Sequence, residues 1–195
     1  MKSSEITDAM RKASAAGNFD QAIRLAEERL ADDPNDEDAL ITKARILSTP
    51  DPAYCDYQAA IALLTKARQR NPASEMIALE LAQAVKSSGD YGAAEKTYRR
   101  LLADKPDDCE FLLGLASLEN HPGVSLRTEE VRKLLEHAVC LCPDRWQVHG
   151  MLAEHRRRNG DTEGARKSYQ DALARLGPDD TFARKAMMNE MRAIE

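Results

Sequence analysis

The chain of 195 residues has the composition of a globular, helix-rich protein. Charged residues make up 31% and hydrophobic residues 43%, which excludes a disordered or collagen-like chain. Aromatic residues make up only 5%, which argues against an aromatic-rich β-sandwich or barrel, and the formal net charge of −5 disfavours a nucleic-acid or polyphosphate binder. No stretch is apolar over the ~18 residues that a membrane-spanning helix needs. We therefore expect a cytoplasmic protein, or a secreted or periplasmic one if a signal peptide has been removed.

Prolines recur at nearly regular intervals along the chain. Those that close an amphipathic run lie 38, 34, 37 and 35 residues apart: Pro34, Pro72, Pro106, Pro143 and Pro178. A proline stops one helix, and acidic residues that follow it, such as Asp36 and Asp108, favour the N-terminus of the next helix. The spacing therefore predicts a repeat of about 35 residues, built from helices.

A glycine-containing turn recurs between these prolines, at residues 17–22, 89–94 and 160–165. Glycine supplies the positive φ that ends a helix, and the Asn or Asp after it can cap the next helix. An alanine four or five residues after the glycine lets two helices approach closely. Each period therefore predicts a helix A, a tight turn and a helix B.

This arrangement resembles the tetratricopeptide repeat (TPR) family, whose 34-residue helix–turn–helix unit has a proline near the end of helix B. Residues 75–108 match best, at Leu81, Ala82, Gly89, Asp90, Tyr91, Ala94, Tyr98, Leu101 and Pro106. The resemblance implies an all-α fold, a right-handed α-solenoid of stacked helix–turn–helix repeats. In chain order the implied repeats cover residues 3–36, 37–74, 75–108, 109–145 and 146–178, with a capping helix over 179–195. We expect them to form one superhelical domain, residues 1–195.

The segment implied as the capping helix carries one apolar face, formed by Ala183, Met187, Met191 and Ile194 at helical spacing. This face is expected to cover the last repeat. Met188 lies off that face and is expected to be exposed, either as a contact site or as an ordinary surface methionine.

Two of the A-to-B turns are longer than the others, at residues 48–56 and 120–127. Insertions at equivalent places of a repeat array usually decorate one face. Tyr54 and His121 could therefore form one rim, and simple variation in loop length explains them equally well.

Motifs for catalysis are absent from the sequence. There is no nucleophile elbow, no phosphate-binding glycine loop and no histidine pair with the spacing of a zinc protease. We therefore predict that the protein is not an enzyme. His137, Cys140 and Cys142 could hold a metal ion or respond to redox state, but buried cysteines commonly pack as small apolar residues. Packing is preferred, and no metal or cofactor is predicted.

The TPR resemblance also implies a binding surface, because the A helices of such arrays line a concave groove that takes extended or helical peptides. Carried over by register, the implied groove residues are Arg11, Ile41, Thr42, Arg45, Met76, Leu79, Glu80, Gln83, Leu113, Ser117, Asn120, Gly150, Met151, Glu154, Arg157 and Arg158. Of the cations with which one subclass grips a C-terminal carboxylate, only Arg11 remains, so a chaperone-tail clamp is not expected.

The implied groove is apolar along its middle, at Ile41, Met76, Leu79, Leu113 and Met151, and cationic towards both ends. Exposed apolar surface of this kind usually marks an interaction site. We predict a non-enzymatic protein–protein interaction module, such as an adaptor, assembly factor or chaperone-like protein. Its partner would be an amphipathic helix or an apolar extended segment with acidic flanks, and neither nucleic acid nor an inserted membrane. The alternative is a self-associating protein, such as a homodimer, or an enzyme-bound regulatory subunit that uses the terminal helix or the convex face.

Overall fold

The computed structural model describes residues 3–194, and every regular element in this range is an α-helix. The helices are α1 (Ser3–Ala15), α2 (Phe19–Asp32), α3 (Glu37–Leu47), α4 (Tyr57–Arg70), α5 (Glu75–Ser87), α6 (Tyr91–Asp104), α7 (Cys109–Ala116), α8 (Thr128–Leu141), α9 (Trp146–Arg158), α10 (Thr162–Leu173) and α11 (Thr181–Ala193). The predicted all-α fold is confirmed. Each implied repeat contains one helix pair, and α11 lies where the capping helix was expected.

The helices group into two compact units, Met1–Thr97 and Tyr98–Glu195, with the boundary inside α6. The single superhelical domain over residues 1–195 stays a prediction.

The tight turns have the local chemistry that the sequence predicts. Gly17, Gly89 and Gly160 have φ values of +74°, +87° and +79°, a region that side chains rarely adopt. After the last of these glycines, the Asp161 carboxylate accepts a hydrogen bond of 2.9 Å from the Gly164 amide and caps α10. Asn18, Asp36, Asp56, Ser74, Asp90 and Asp108 accept equivalent bonds from the amide three residues later.

In the unit Met1–Thr97, each helix pair is packed against the next. Met10 of α1 is fully buried in one cluster with Ala39 of α3. Leu40 of α3, Leu64 of α4 and Ile77 of α5 share a second cluster. Helix A of one repeat is thus covered by helix A of the following one, which is the stacking expected of helical repeats.

The long turn after α3 packs within the same unit. The Tyr54 hydroxyl donates to Asp20 Oδ1 at 2.9 Å, and its ring meets Phe19 edge-to-face with the centroids 5.2 Å apart. Tyr54 therefore fastens this turn to the start of α2. The rim shared with His121 stays a prediction.

In the unit Tyr98–Glu195, the core begins where α7, α8 and α9 meet, around Leu112, Leu135 and Val148. A second cluster joins Tyr169 of α10 to Met187 of α11. Further apolar residues of α11 pack against this cluster: Ala183, Met191 and Ile194. Met188 is 40% exposed. The predicted apolar face of the capping helix and the exposure of Met188 are both confirmed.

A glycine permits the closest approach in this unit. A Cβ atom on Gly114 would lie 2.2 Å from Cε1 of Tyr98, whose side chain is buried. A Cβ atom on Gly150 of α9 would instead lie 2.9 Å from the terminal Cε of Met187, which a flexible side chain can vacate, and at an ordinary contact distance of 3.9 Å from Cε3 of Trp146. Two glycines inside A helices therefore have different structural demands.

We expect Gly114→Ala to lower the free energy of unfolding by about 1–3 kcal/mol, because the buried Tyr98 ring must move. Gly150→Ala is the matched control, and we expect it to leave that free energy unchanged or to raise it by up to about 1 kcal/mol, because alanine is the better helix former. Urea unfolding followed by circular dichroism measures both. Equal effects of the two substitutions would contradict this account of Gly114.

Candidate binding cavities

The unit Tyr98–Glu195 contains a cavity of about 440 Å³ that opens to solvent beside α9, which we call the α9 cavity. Its lining residues come from α7 to α11 and the turn after α7: Ala116, Ser117, Glu119, Leu135, Trp146, Gln147, Gly150, Met151, Glu154, His155, Arg158, Tyr169 and Met187. Most of the exposed wall is apolar, with large side chains from Trp146, Met151 and Met187. Small residues at Ala116, Ser117 and Gly150 leave the space open.

A buried polar pair lies in one wall of the α9 cavity. His155 Nδ1 is 3.0 Å from the Glu119 carboxylate, and both side chains are largely shielded from water. A buried polar group is costly unless it is hydrogen-bonded, and here each member of the pair satisfies the other. Neither side chain of the pair therefore needs a charged ligand as a hydrogen-bond partner.

Glu154 is the centre of an ion-pair network at the edge of the α9 cavity. Its carboxylate accepts hydrogen bonds from Arg157 Nε at 2.8 Å, Arg158 Nε at 2.6 Å and the Tyr169 hydroxyl at 3.1 Å. The bond from Arg157 is the largest cause that lowers the pKa of Glu154 to about 2, against the opposing effect of burial. Burial, and then Glu154, raise the pKa of Tyr169 to about 12.

Arg156 and Arg157 also pair with carboxylates outside α9. Arg157 Nε lies 3.3 Å from Glu190, and Arg156 lies 3.6 Å from Glu136 and 3.7 Å from Asp161. The basic run 156–158 is therefore an ion-pair network and leaves little uncompensated positive charge at the α9 cavity. The pairing with Glu154 could be anticipated from the sequence, because Glu154 lies three and four residues before Arg157 and Arg158 in the same helix. The other carboxylates of the network could not, because they lie outside α9.

The unit Met1–Thr97 contains a smaller cavity of about 200 Å³, which we call the α3–α5 cavity. Its lining residues are Ala44, Arg45, Ser48, Leu64, Glu80, Gln83, Ala84 and Ser87. Arg45 donates a hydrogen bond to Glu80 across the gap between α3 and α5, and this bond is the largest cause that raises the pKa of Arg45. The Glu80 side chain is only 5% exposed, whereas that of Arg45 is 59% exposed.

Many of the groove residues implied by the sequence line these two cavities. The α3–α5 cavity contains Arg45, Glu80 and Gln83, and the α9 cavity contains Ser117, Gly150, Met151, Glu154 and Arg158. The remaining polar candidates lie elsewhere: Arg11 forms an ion pair with Asp38, Asn120 is exposed after α7, and Arg157 joins the Glu154 network. Met76 is exposed and Leu79 partly buried, outside both cavities.

Three implied groove residues that line neither cavity are buried, and their role in a groove stays a prediction. Ile41 and Thr42 are only 4% and 8% exposed, because α3 is flanked by both α1 and α5. Leu113 is 7% exposed, because it belongs to the core cluster of α7, α8 and α9. An internal A helix is covered from both sides, so its apolar surface towards the groove is narrower than register alone implies.

The sequence analysis missed several residues of these cavities. Trp146 begins α9 and Gln147 follows it, one turn before the implied groove positions of that helix. Met187 was expected only as core of the capping helix and also forms a cavity wall. The single tryptophan of the chain was the one available signal, since large aromatic side chains commonly contribute to binding surfaces.

The His and Cys residues near the end of α8 do not come together as a metal site. His137 Nε2 lies 3.0 Å from Asp107 Oδ1, Cys140 is exposed, and Cys142 packs against the α7–α8–α9 core. Among the described residues no group of three or more His, Cys, Asp or Glu side chains is placed to hold a metal ion. His149 is a buried core residue, as its helix A position indicates, with Nε2 2.8 Å from the Pro143 carbonyl oxygen.

The lowered pKa of Glu154 predicts a pH dependence of stability. The ionised carboxylate stabilises the fold above pH 4.5, its ordinary pKa, and this stabilisation is lost as pH falls towards about 2. We expect Glu154→Gln to destabilise the protein most near neutral pH and progressively less below pH 4.5. Urea unfolding at a series of pH values measures the difference from the wild type. Glu163→Gln, an exposed position of α10, is the control, and a Glu154→Gln effect independent of pH would contradict the network.

Comparisons with known proteins agree with this architecture. Two family models, both described as tetratricopeptide repeat, match residues 55–118 and 129–181, which together are more than half of the chain. No curated protein sequence matches. None of the described helices is long and apolar enough to cross a membrane.

Several solved structures have the same fold. TTC0263, a thermophilic TPR protein of Thermus thermophilus, is 18% identical over 97% of this chain and 98% of its own, with a TM-score of 0.79. Yeast Tom70 is 18% identical over 98% of this chain and 39% of its own, with a TM-score of 0.79. MamA from Desulfovibrio magneticus RS-1 is 18% identical over 91% of this chain and 96% of its own, with a TM-score of 0.65. These likenesses concern the fold, and with the two family matches they lead to one conclusion: the chain belongs to the tetratricopeptide repeat family.

Proposed function

We propose that the protein is a non-enzymatic interaction module that binds a segment of a partner protein in the α9 cavity. The observation that carries the proposal is an open cavity of about 440 Å³ with predominantly apolar walls. A pocket with apolar walls and a few placed polar groups is the usual form of a binding site. The TPR family, typically a scaffold for protein–protein interaction, supports the same role.

The chemistry of the walls favours an apolar occupant. Trp146 and Met151 offer large apolar surfaces, and removal of such surface from water is favourable by about 25 cal/mol per Å², which has to offset the entropy cost of association. The charged groups around the opening are already paired, Glu119 with His155 and Glu154 with Arg157 and Arg158. The bound segment therefore needs large apolar side chains, in a helical or an extended backbone. Acidic flanks are not required at this cavity.

Substitution of a half-buried wall residue tests this proposal. Peptides selected from a random displayed library on the wild-type protein are labelled, and their affinities are measured by fluorescence anisotropy. We expect Met151→Glu to raise the dissociation constant by about tenfold or more, because it places a carboxylate in the apolar wall.

Met188→Glu is the matched control, since Met188 is an exposed methionine that does not line the α9 cavity. We expect its dissociation constant to stay within about twofold of the wild type. Thermal unfolding confirms that both variants are folded. If Met151→Glu binds the selected peptides as well as the wild type does, the α9 cavity is not the binding surface.

A second candidate function is self-association through α11, and one observation favours it. Phe182, in the first turn of α11, is 87% exposed. An aromatic side chain left in water is a common anchor of protein interfaces. A homodimer formed through α11 would cover Phe182.

Sedimentation velocity over a range of protein concentrations tests self-association. We expect the wild-type sedimentation coefficient to rise with concentration and that of Phe182→Ser to stay at the monomer value. Lys185→Ser, at another exposed position of α11, is the control and should behave as the wild type. A concentration-independent monomer for the wild type would overturn this candidate.

A further inference from the structure

The C-terminal ends of the A helices have a common hydrogen-bonding pattern. At the C-cap of α5, the Ser88 hydroxyl donates to the Val85 carbonyl oxygen at 2.7 Å. The C-cap side chains of α7 and α9 make equivalent bonds of 2.7 Å to carbonyl oxygens of the preceding turn: Ser117 to Gly114 and Asn159 to His155. In α5 and α7 these bonds reach carbonyl groups in the last turn, where the helix end leaves carbonyls short of partners, whereas the His155 carbonyl also accepts from the Asn159 amide.

Ser48, the C-cap of α3, departs from this pattern. Its hydroxyl oxygen is buried and has no hydrogen-bond partner among the described residues. The neighbouring Thr49 hydroxyl donates to the Ile46 carbonyl oxygen at 2.8 Å instead. A buried hydroxyl without a partner reduces stability, so such a group calls for an explanation outside the helix itself.

Ser48 lines the α3–α5 cavity together with the charged residues Arg45 and Glu80. Arg45 and Glu80 form an ion pair in its wall, so the pair contributes no net formal charge. A charged ligand would leave one uncompensated charge in a partly buried place, which is costly. The electrostatics therefore favour a neutral ligand that both donates and accepts hydrogen bonds.

The rest of the α3–α5 cavity wall has a polar part, Gln83 and Ser87, and an apolar part. Ala44, Leu64 and Ala84 form the apolar part, and the volume of about 200 Å³ suits one side chain of moderate size. A ligand that fits both walls has a short aliphatic stem and a neutral polar end. Among protein side chains, glutamine and asparagine have this form, and their carboxamide group carries one acceptor and two donors.

We propose that the α3–α5 cavity binds the carboxamide side chain of a glutamine or asparagine in a partner segment. The carboxamide oxygen accepts a hydrogen bond from the Ser48 hydroxyl, and its NH2 group donates to the Glu80 carboxylate. This site is in the unit Met1–Thr97 and shares no residue with the α9 cavity. This proposal rests on the proposed function in one respect, because the carboxamide would belong to a partner protein.

A titration with small probes tests the proposal. Uniformly 15N-labelled wild-type protein is titrated with N-acetylglutamine methylamide, and its amide chemical shifts are recorded by NMR. N-acetylglutamate methylamide and N-acetylnorleucine methylamide are the charged and apolar controls. We expect saturable shifts, confined to α3, α4 and α5, with the glutamine probe alone.

Two serine substitutions separate recognition from stability. We expect Ser48→Ala to weaken binding of the glutamine probe by about three- to tenfold, through loss of one hydrogen bond, while the melting temperature is unchanged or higher. Ser88→Ala removes a hydroxyl that is already bonded within its own helix. We expect it to leave probe binding unchanged and to lower the melting temperature by about 2–4 °C.

Three results would overturn the proposal. The first is an equal response to all three probes, or no response to any of them. The second is undiminished binding of the glutamine probe by Ser48→Ala. The third is a fall in the melting temperature of Ser48→Ala as large as that of Ser88→Ala, which would mean that a bound water already satisfies the hydroxyl. None of these experiments involves Met151, so failure here is distinguishable from failure of the proposed function.

Discussion

A helix pair of this chain buries only part of its apolar surface by itself, and the next A helix covers much of the rest. Met10 of α1 is buried with Ala39 of α3, Leu40 of α3 with Ile77 of α5, and Leu112 of α7 with Val148 of α9. Close approach requires small residues along both helices of each pair, which is why alanines fill so many core positions. The same small residues fail to fill space where the helices diverge. The α3–α5 cavity is lined by Ala44 and Ala84, and the α9 cavity by Ala116 and Gly150, so both follow from how the helices pack.

Electrostatics explain why neutral ligands suit both cavities despite the high charge content of the chain. Charged side chains of neighbouring helices pair with one another, as Arg45 does with Glu80 and Arg157 with Glu190. A paired group carries little uncompensated charge, so a charged ligand would have to break a pair or go without a partner. Under the two proposals, recognition rests on apolar contact in the α9 cavity and on neutral hydrogen bonding in the α3–α5 cavity.

Local features of the fold could be predicted from the sequence, whereas features that depend on distant neighbours could not. The turns at Gly17 and Gly160 were predictable because a positive φ and a capping side chain are properties of a few consecutive residues. The burial of Ile41 was not, because it depends on the two helices that flank α3. Ser48 and Ser88 have the same position in their helices, and only the packing around each shows that one hydroxyl is bonded and the other is not.

An open cavity lowers the stability of a protein, and this cost helps to distinguish a binding site from a by-product of packing. Gly150 lies inside α9, where alanine would stabilise the helix by about 1 kcal/mol and would lie too close only to the flexible end of Met187. Ser48 holds a buried hydroxyl that alanine would remove. In each case alanine would give a more stable protein and a cavity that is smaller or less polar. Residues that lower stability without serving the core are expected where a protein binds something, because binding surfaces retain groups that only a ligand satisfies. Both cavities meet this criterion, and each does so at an A helix, on which the binding groove was expected from the sequence.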